Sequence, residues 1–549
     1  CDSRLELEPR EHKLFGPDSF RASLDHGRGL VYIRGLPERA ASVGTARAGG
    51  CDICCPLCGH IVTGHATLSE SQARSGAPGA PERQPEFVSR PSSAPRAAIL
   101  IAGPLAAAAA GLAMVVSGFE PAIGWTVATT VLCALWWVFE PIPIPATSLV
   151  PLALLPSVGV LPTSEVAEAF GSPIILLLMG GFMLSTAMSR SGAHRRLALG
   201  LIHLVGAESP RRVVFGFMLA AALLSMWVSN MATTLMLVPI GLAALERVED
   251  RRMQASLLLA IAYAASIGGI GTPIGTPPNL IFMQVYAEHT GRTIPFFTWM
   301  TWTLPVVAVM LPVATLWLTR GIDSRQRFVV DAPGAWRPEE RRTLAVFAVT
   351  ALAWMFRVQP FGGWTGWLGV PGANDASIAL GAVVAMFLIP NGRGEKLLDW
   401  ETAGDIPWGI LILFSSGLVI AKAFMVSGLS ALLGEMLAAV TVVPLWLVVA
   451  ATCFSVTFLT EVTSNTATTT LLMPILAAAA LAGGLPLEAL MVPAAVSASF
   501  AFMLPVATGP NAIVYGAGEV AIADMVRFGV VLNLVGVAIV SSVMILRFG

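Results

Sequence analysis

From residue 97 onward the chain is a succession of apolar runs about 20 residues long, the length that crosses a bilayer as a helix. In hydrocarbon every backbone N–H and C=O needs a partner within the protein. Such runs must therefore be helices, or, where they break, must face protein or a wet cavity. Charge follows the same division. Only 12% of the 549 residues are charged, against roughly 25% in an ordinary soluble domain. Residues 1–96 hold 12 of the basic and 11 of the acidic residues, leaving 44 charged side chains for the remaining 453. With 33 Lys+Arg against 34 Asp+Glu, no net charge draws the chain to nucleic acid. A soluble enzyme, a nucleic-acid binder and a secreted disulfide scaffold are excluded, and an all-α polytopic membrane protein is expected.

Residues 1–96 read as an Arg/Ala/Gly/Pro-rich extension, expected to be disordered and cytoplasmic, and they are assigned no fold. They begin with Cys and carry no signal-peptide pattern, as an extension or a fragment would. Cys51, Cys54, Cys55 and Cys58, followed by His60 and His65, have the paired spacing that supplies thiolates to zinc, but no second half-site follows at normal spacing. Cys133 and Cys453 lie in apolar runs, where a thiol is a small hydrophobe.

Apolar runs bounded by charges and Pro/Gly clusters place full spans near 97–118, 123–140, 143–161, 172–204, 254–287, 297–320, 341–358, 376–390, 405–437, 486–516 and 524–546. Two more runs, 212–246 and 443–482, are interrupted by polar tips and read as re-entrant hairpins, giving about 11 transmembrane helices plus two hairpins. With the N-terminus cytoplasmic and the C-terminus outside, 17 Arg and Lys fall on cytoplasmic ends, from Arg190 to Arg527. Only Arg292, Arg357 and Arg547 fall outside. The order is then a first membrane half over 97–322, with hairpin 212–246 and broken helix 254–287. A cytoplasmic linker over 323–342 follows, and then a second half over 343–549 with hairpin 443–482 and broken helix 486–516.

The two halves repeat each other. Ser229-Asn-Met-Ala-Thr-Thr234 matches Ser464-Asn-Thr-Ala-Thr-Thr469 at an offset of 235, and Gly275-Thr-Pro-Pro-Asn279 matches Ala507-Thr-Gly-Pro-Asn511 at 232. Ser191-Gly192 matches Ser427-Gly428 at 236. An odd number of crossings separates corresponding points, so the copies are inverted, the plan of secondary transporters with a site at the repeat interface.

A Ser/Asn/Thr tip inside a bilayer offers hydroxyl and amide oxygens to a cation and free N–H groups to an anion. Ser225-x-x-x-Ser229 and Thr460-x-x-x-Ser464 each put two hydroxyls on one helix face. Neutral oxygen ligands suit a hard monovalent ion such as sodium. The stretch Gly268–Asn279 cannot be a continuous helix, because its glycines loosen it and Pro277 and Pro278 lack N–H donors. Those prolines fit the first turn of a restarted half-helix, whose positive end faces an anion while the preceding carbonyls face a cation. Ala507–Asn511 does the same in the second half.

The two Ser-Asn motifs, the Thr-Pro-Pro-Asn and Thr-Gly-Pro-Asn breaks and Trp136-Trp-Val-Phe-Glu-Pro-Ile-Pro-Ile-Pro145 resemble, in order, the divalent anion/sodium symporter family, which includes sodium-coupled dicarboxylate and citrate transporters. The likeness covers about 97–549. It implies a homodimer of scaffold and transport domains working by an elevator motion in the cell (inner or plasma) membrane. No cofactor is implied beyond coupling sodium ions. Carried across by motif, sodium site 1 would use Ser225, Ser229, Asn230 and the Gly275 carbonyl, and sodium site 2 would use Thr460, Thr463, Ser464, Asn465 and the Ala507 carbonyl. Substrate carboxylates would meet Asn230, Thr276, Asn465, Thr466 and Thr508.

Two departures touch the substrate side: Met231 stands where the family commonly has Thr, and Gly509 where proline is common. Lys422, within a span, reads as either a functional charge or an ion pair, and Glu461 as either tuning the second cation site or pairing with a basic group. The histidines avoid both motif regions. The expected function is sodium-coupled uptake of a C4-dicarboxylate such as succinate, malate or fumarate, with no enzymatic activity. A citrate or sulfate symporter or a sodium-independent dicarboxylate exchanger stands as the alternative, and an intramembrane hydrolase or anion channel as a distant one.

Overall fold

A computed structural model describes residues 93–549 except 207, 323–327, 329, 331, 360 and 438–442, together with segments 22–25, 30–33, 52–54 and 61–63. The chain divides into Cys1–Ser89 and Arg90–Gly549. In the first unit, strand Ala22–Asp25 pairs antiparallel with Leu30–Ile33, and Asp52–Cys54 pairs with Ile61–Thr63. Composition gave no fold here, yet Leu-Val-Tyr-Ile and Ile-Val-Thr are the β-branched and aromatic runs that favour strands. Of the cysteine–histidine cluster, Cys51, Cys55, Cys58, His60 and His65 lie outside the described residues.

The second unit is helical among its described residues. Seven helical stretches are long and apolar enough to cross a bilayer: Ala98–Val116, Pro121–Phe139, Thr163–Ser191, Phe296–Leu318, Trp400–Val426, Asn465–Ala482 and Ile522–Phe548, the third and fifth each beginning with a short separate helix, Thr163–Phe170 and Trp400–Gly404. Shorter apolar helices lie between them. The protein is a multi-pass membrane protein. Three of the expected spans are interrupted. The run 172–204 divides at Gly192 into Pro173–Ser191 and Ala193–Val205, and 405–437 divides into Trp408–Val426 and Leu429–Leu437. Gly192 and Gly428 sit at φ +72° and +83°, the left-handed conformation that closes a helix and that glycine adopts without a Cβ clash. The run 143–161 begins with the short Ile144–Thr147, followed by Leu149–Ser157. The segment expected as a linker over 323–342 ends in helix, since Pro338–Met355 starts with proline at its first position and Glu340 capping the Arg337 N–H.

Four interrupted elements form the centre. The first polar run is Pro210–Ser225 and Asn230–Leu245, with a break at 226–229, and the second is Leu445–Leu459 and Asn465–Ala482, with a break at 460–464. Ser229 and Ser464 each cap the returning arm, accepting from the N–H of Ala232 (3.2 Å) and Ala467 (3.5 Å). The broken helices are Arg251–Gly269 with Pro277–Thr290, and Leu487–Ser497 with Gly509–Gly516. Arg251–Gly269 is apolar on all sides and buried over nearly its whole length, as a central helix must be. The packing then crosses between halves. Pro277–Thr290 lies against the returning arm Asn465–Ala482, and Gly509–Gly516 against Asn230–Leu245. Each restarted half-helix thus rests on the hairpin of the other half, which brings the two sets of motifs together.

Away from this centre, residues 190–196, 334–342 and 393–399 meet in one ionic cluster. Arg190 pairs with Asp399 and Glu395, Arg196 with Glu340 (2.6 Å), and Arg393 with Glu339 (2.9 Å). The charge pattern assigned these segments to a single membrane face.

Candidate functional site

Each helix break is held open by an asparagine. Asn279, fully buried, donates from Nδ2 to the carbonyls of Gly269 (3.1 Å) and Thr272 (2.8 Å). Asn511, also fully buried, donates to the carbonyls of Ala501 (3.0 Å) and Leu504 (3.0 Å). All three positions of the second set lie 232 residues after those of the first. One side-chain amide in each half thus joins a carbonyl near the helix end to one within the break, where regular backbone pairing stops. The Oδ1 atoms of Asn279 and Asn511 are buried without a hydrogen-bond partner. A buried acceptor in that condition is costly, and a cation would satisfy it.

At the first site, Ser225 Oγ donates to Asn230 Oδ1 (2.5 Å), joining the two arms across the tip. Asn230 lies against the first break: a Cβ placed on Gly269 would stand 2.7 Å from Asn230 Oδ1, and one on Gly275 would stand 2.3 Å from the Gly269 carbonyl oxygen. Only glycine allows this approach. Ser225, Asn230, Gly269 and Gly275 are therefore assembled in one place, and Thr272 Oγ1 ties the break to the tip by donating to the Met226 carbonyl. Ser229, at the exposed edge, uses its oxygen to cap the returning arm.

At the second site, Thr460 and Thr463 are buried and give their protons to the carbonyls of Thr457 (3.1 Å) and Leu459 (2.8 Å), which leaves oxygen lone pairs available. Thr463 also lies 2.6 Å from the Thr468 hydroxyl. Asn465 Oδ1 is buried and unpartnered, a third such amide oxygen in the motif regions. The tie between tip and break differs from the first half. Glu461, at the position of Met226, accepts from the N–H groups of Met503 (2.9 Å) and Leu504 (3.0 Å) and from Asn533 Nδ2 (2.6 Å). Glu461 thus contacts amides, without a basic partner among the described residues.

On the substrate side, Thr508 Oγ1 accepts from the Asn511 N–H (3.2 Å) at the start of the restarted helix, and Thr276 opens the matching helix, where Pro277 and Pro278 remove two donors. Asn230, Asn465, Thr466 and Thr508 are half-buried and Thr276 is buried. The first hairpin meets the second break where Met231 contacts Gly509. The arrangement offers neutral oxygens for small cations beside the N-terminal ends of helices, which favour an anion.

The sequence profile of the citrate transporter family matches residues 134–488. The sodium-dependent dicarboxylate transporter SdcS of Staphylococcus aureus, in strains NCTC 8325 / PS 47 and COL, is 39% identical over 441 residues, covering 76% of this chain and 84% of that protein. The chain belongs to the divalent anion/sodium symporter family. Solved transporters share the fold at low identity. The YdaH transporter of Alcanivorax borkumensis matches with a TM-score of 0.50 at 17% identity, covering 69% of this chain and 87% of that one. MtrF of Neisseria gonorrhoeae matches with 0.51 at 12%, covering 69% and 82%.

Sequence reasoning placed this family member's tips and breaks but gave no task to Asn279, Asn511 or Asn533. The first two close both Thr-x-Pro-Asn motifs at one offset, a signal that was present. Asn533 lies outside any repeat motif and is visible only in the packing, where its Oδ1 also accepts from the Phe502 N–H (3.2 Å).

Proposed function

We propose that this protein is a secondary active transporter that couples inward sodium movement to uptake of a C4-dicarboxylate such as succinate, malate or fumarate. Sodium 1 is held by Ser225, Ser229, Asn230 and the Gly275 carbonyl, and sodium 2 by Thr460, Thr463, Ser464, Asn465 and the Ala507 carbonyl. Asn230, Thr276, Asn465, Thr466 and Thr508 take the carboxylates. The observation that carries this reading is the pair of asparagine-clamped breaks at one repeat offset, each with an unpartnered buried amide oxygen. The sodium-dependent dicarboxylate transporter among the relatives supports it. Each protomer's transport domain moves against its scaffold domain as an elevator within a homodimer, with the N-terminus cytoplasmic and the C-terminus outside.

Coupling follows from charge. An interior-negative potential opposes an anion by about 2.3 kcal/mol per charge per 100 mV, so a dianion alone faces roughly twice that. Two sodium ions make the step neutral, and a third lets the potential assist it. Uptake of radiolabelled succinate into proteoliposomes tests the reading: replacing external sodium with choline is expected to abolish it. Undiminished uptake in choline would overturn sodium coupling and leave a dicarboxylate exchanger.

A further inference from the structure

Among the positions where the inverted repeat departs from itself beside the anion-binding residues are Met231 and Gly509, and the fold puts those two in contact. At offset 235 Met231 corresponds to Thr466, and at offset 232 Gly509 corresponds to Pro277. Met231 directly follows Asn230, and Gly509 directly follows Thr508, both assigned to substrate in the reading above. A Cβ placed on Gly509 would stand 2.4 Å from Met231 Cγ and 2.8 Å from its Sδ. Those separations lie well inside the roughly 3.5–4.0 Å of ordinary carbon contact. The clash involves Met231 Cγ as well as Sδ, so relieving it requires the whole side chain to turn about χ1 rather than the thioether alone. Met231 therefore fills the volume that any side chain at 509 would need, and the two departures are one feature. Met231 is 49% exposed, so it presents a free face beside Asn230.

The chemical consequence is one-sided. Thr466 offers a hydroxyl that can donate to an anion, whereas a thioether has no proton to give. It also projects further than threonine, so this end of the site is both narrower and one donor poorer. An ionised carboxylate pressed against Met231 would lose water without gaining a hydrogen bond, which is unfavourable, while a methylene or an unsubstituted carbon would pack well against sulfur. Resting on the functional reading above, we propose that the Met231–Gly509 pair is a specificity element that fits the site to compact dianions carrying two carboxylates and excludes anions with a third ionised group at this end.

The test is competition in proteoliposomes with the full chain. Sodium-driven uptake of radiolabelled succinate is competed with unlabelled succinate, with citrate, and with propane-1,2,3-tricarboxylate, which has the third carboxylate but no hydroxyl. For the wild type, both tricarboxylates are expected to need at least tenfold higher concentration than succinate for half-inhibition. In Met231→Thr that ratio is expected to fall at least fivefold for both, with Met231→Ser as a second donor variant. Gly509→Ala is expected to raise the succinate half-saturation concentration at least fivefold in the wild type and less than twofold in Met231→Ala, because the methyl then has room; this non-additivity measures the contact itself. A ratio unmoved in both donor variants, or an equal effect of Gly509→Ala in both backgrounds, would overturn the proposal while wild-type uptake leaves the functional reading standing. Absence of any sodium-dependent dicarboxylate uptake by the wild type would overturn both.

Discussion

Glu461 Oε1 lies 2.6 Å from Asn533 Nδ2, a buried bond that ties the tip of the second hairpin to the last helix, Ile522–Phe548. The same carboxyl group accepts the Met503 and Leu504 N–H groups, so three donors converge on it. Glutamine cannot replace it well, since its amide would turn an N–H₂ towards one of those donors. Glu461→Gln is expected to cost about 1–3 kcal/mol, the penalty of leaving a buried donor without its acceptor, and to loosen the 498–508 break. In a sodium titration of succinate uptake, the half-saturating sodium concentration should rise about tenfold. An unchanged titration in a stably folded variant would remove Glu461 from the support of the second cation site.

Asn279 and Asn511 make a matched pair of predictions. Replacing either with alanine removes one donor from two carbonyls; Thr272 and Leu504 keep the N–H groups of Gly275 (3.4 Å) and Ala507 (3.2 Å), so the Gly269 or Ala501 carbonyl is the one left unsatisfied, at about 1–3 kcal/mol. The break should become mobile, and sodium affinity should fall more than thermal stability. Comparison of sodium titrations with thermal unfolding in detergent checks this. Equal and purely thermal losses, with normal sodium dependence in the surviving protein, would make both residues packing elements only.

The tips and breaks were legible because hydroxyls, amides and prolines are rare in hydrocarbon, and their recurrence at offsets 232 and 235 is visible in the letters. What pairs with them was not. Glu461 finds backbone N–H groups 42 and 43 residues away, and backbone donors have no letter. The contact of Met231 with Gly509 joins two departures that in sequence stand 278 positions apart. Gly192 and Gly428 were read as markers of the repeat, although glycine after a helical run is also a stop signal. Hydropathy across the runs stayed high enough to hide the turn.

Glu340 gives a pH prediction. Burial pushes its carboxyl up, but the Arg337 N–H and the guanidinium groups of Arg196 and Arg337 outweigh this and hold it below the usual carboxylate range. A carboxyl depressed in the fold contributes stability above its unfolded value, about 4.3, and loses it as pH falls through the folded value. Glu340→Gln is therefore expected to lower the apparent Tm at pH 7, with a loss on the order of 2 kcal/mol for a buried partner of two arginines. The gap to the wild type should close as pH falls below about 4. Parallel thermal scans from pH 7 to pH 3 check the sign. A gap that widens on acidification would contradict it.

Lys422 lies within the long apolar helix Trp408–Val426, and its setting predicts a modest role. Its Nζ is 3.1 Å from Glu168 Oε2 and 3.9 Å from Glu165 Oε2, both on the short helix Thr163–Phe170. The Glu168 side chain is 75% exposed and that of Glu165 34%, so both ion-pair partners keep solvent contact once the lysine is removed, while half-buried Glu288 also lies within reach of its charge. Ion pairs with an exposed partner contribute about 0–1 kcal/mol, and a methionine of similar length keeps the packing of the aliphatic stem. Lys422→Met is accordingly expected to retain sodium-driven succinate uptake within about twofold, in line with that small energy. Its apparent Tm should stay close to the wild type. Reduced sodium or succinate affinity in a protein of unchanged Tm would instead show that this cation takes part in transport, and would direct attention to Glu165 and Glu168 as its partners in the cycle.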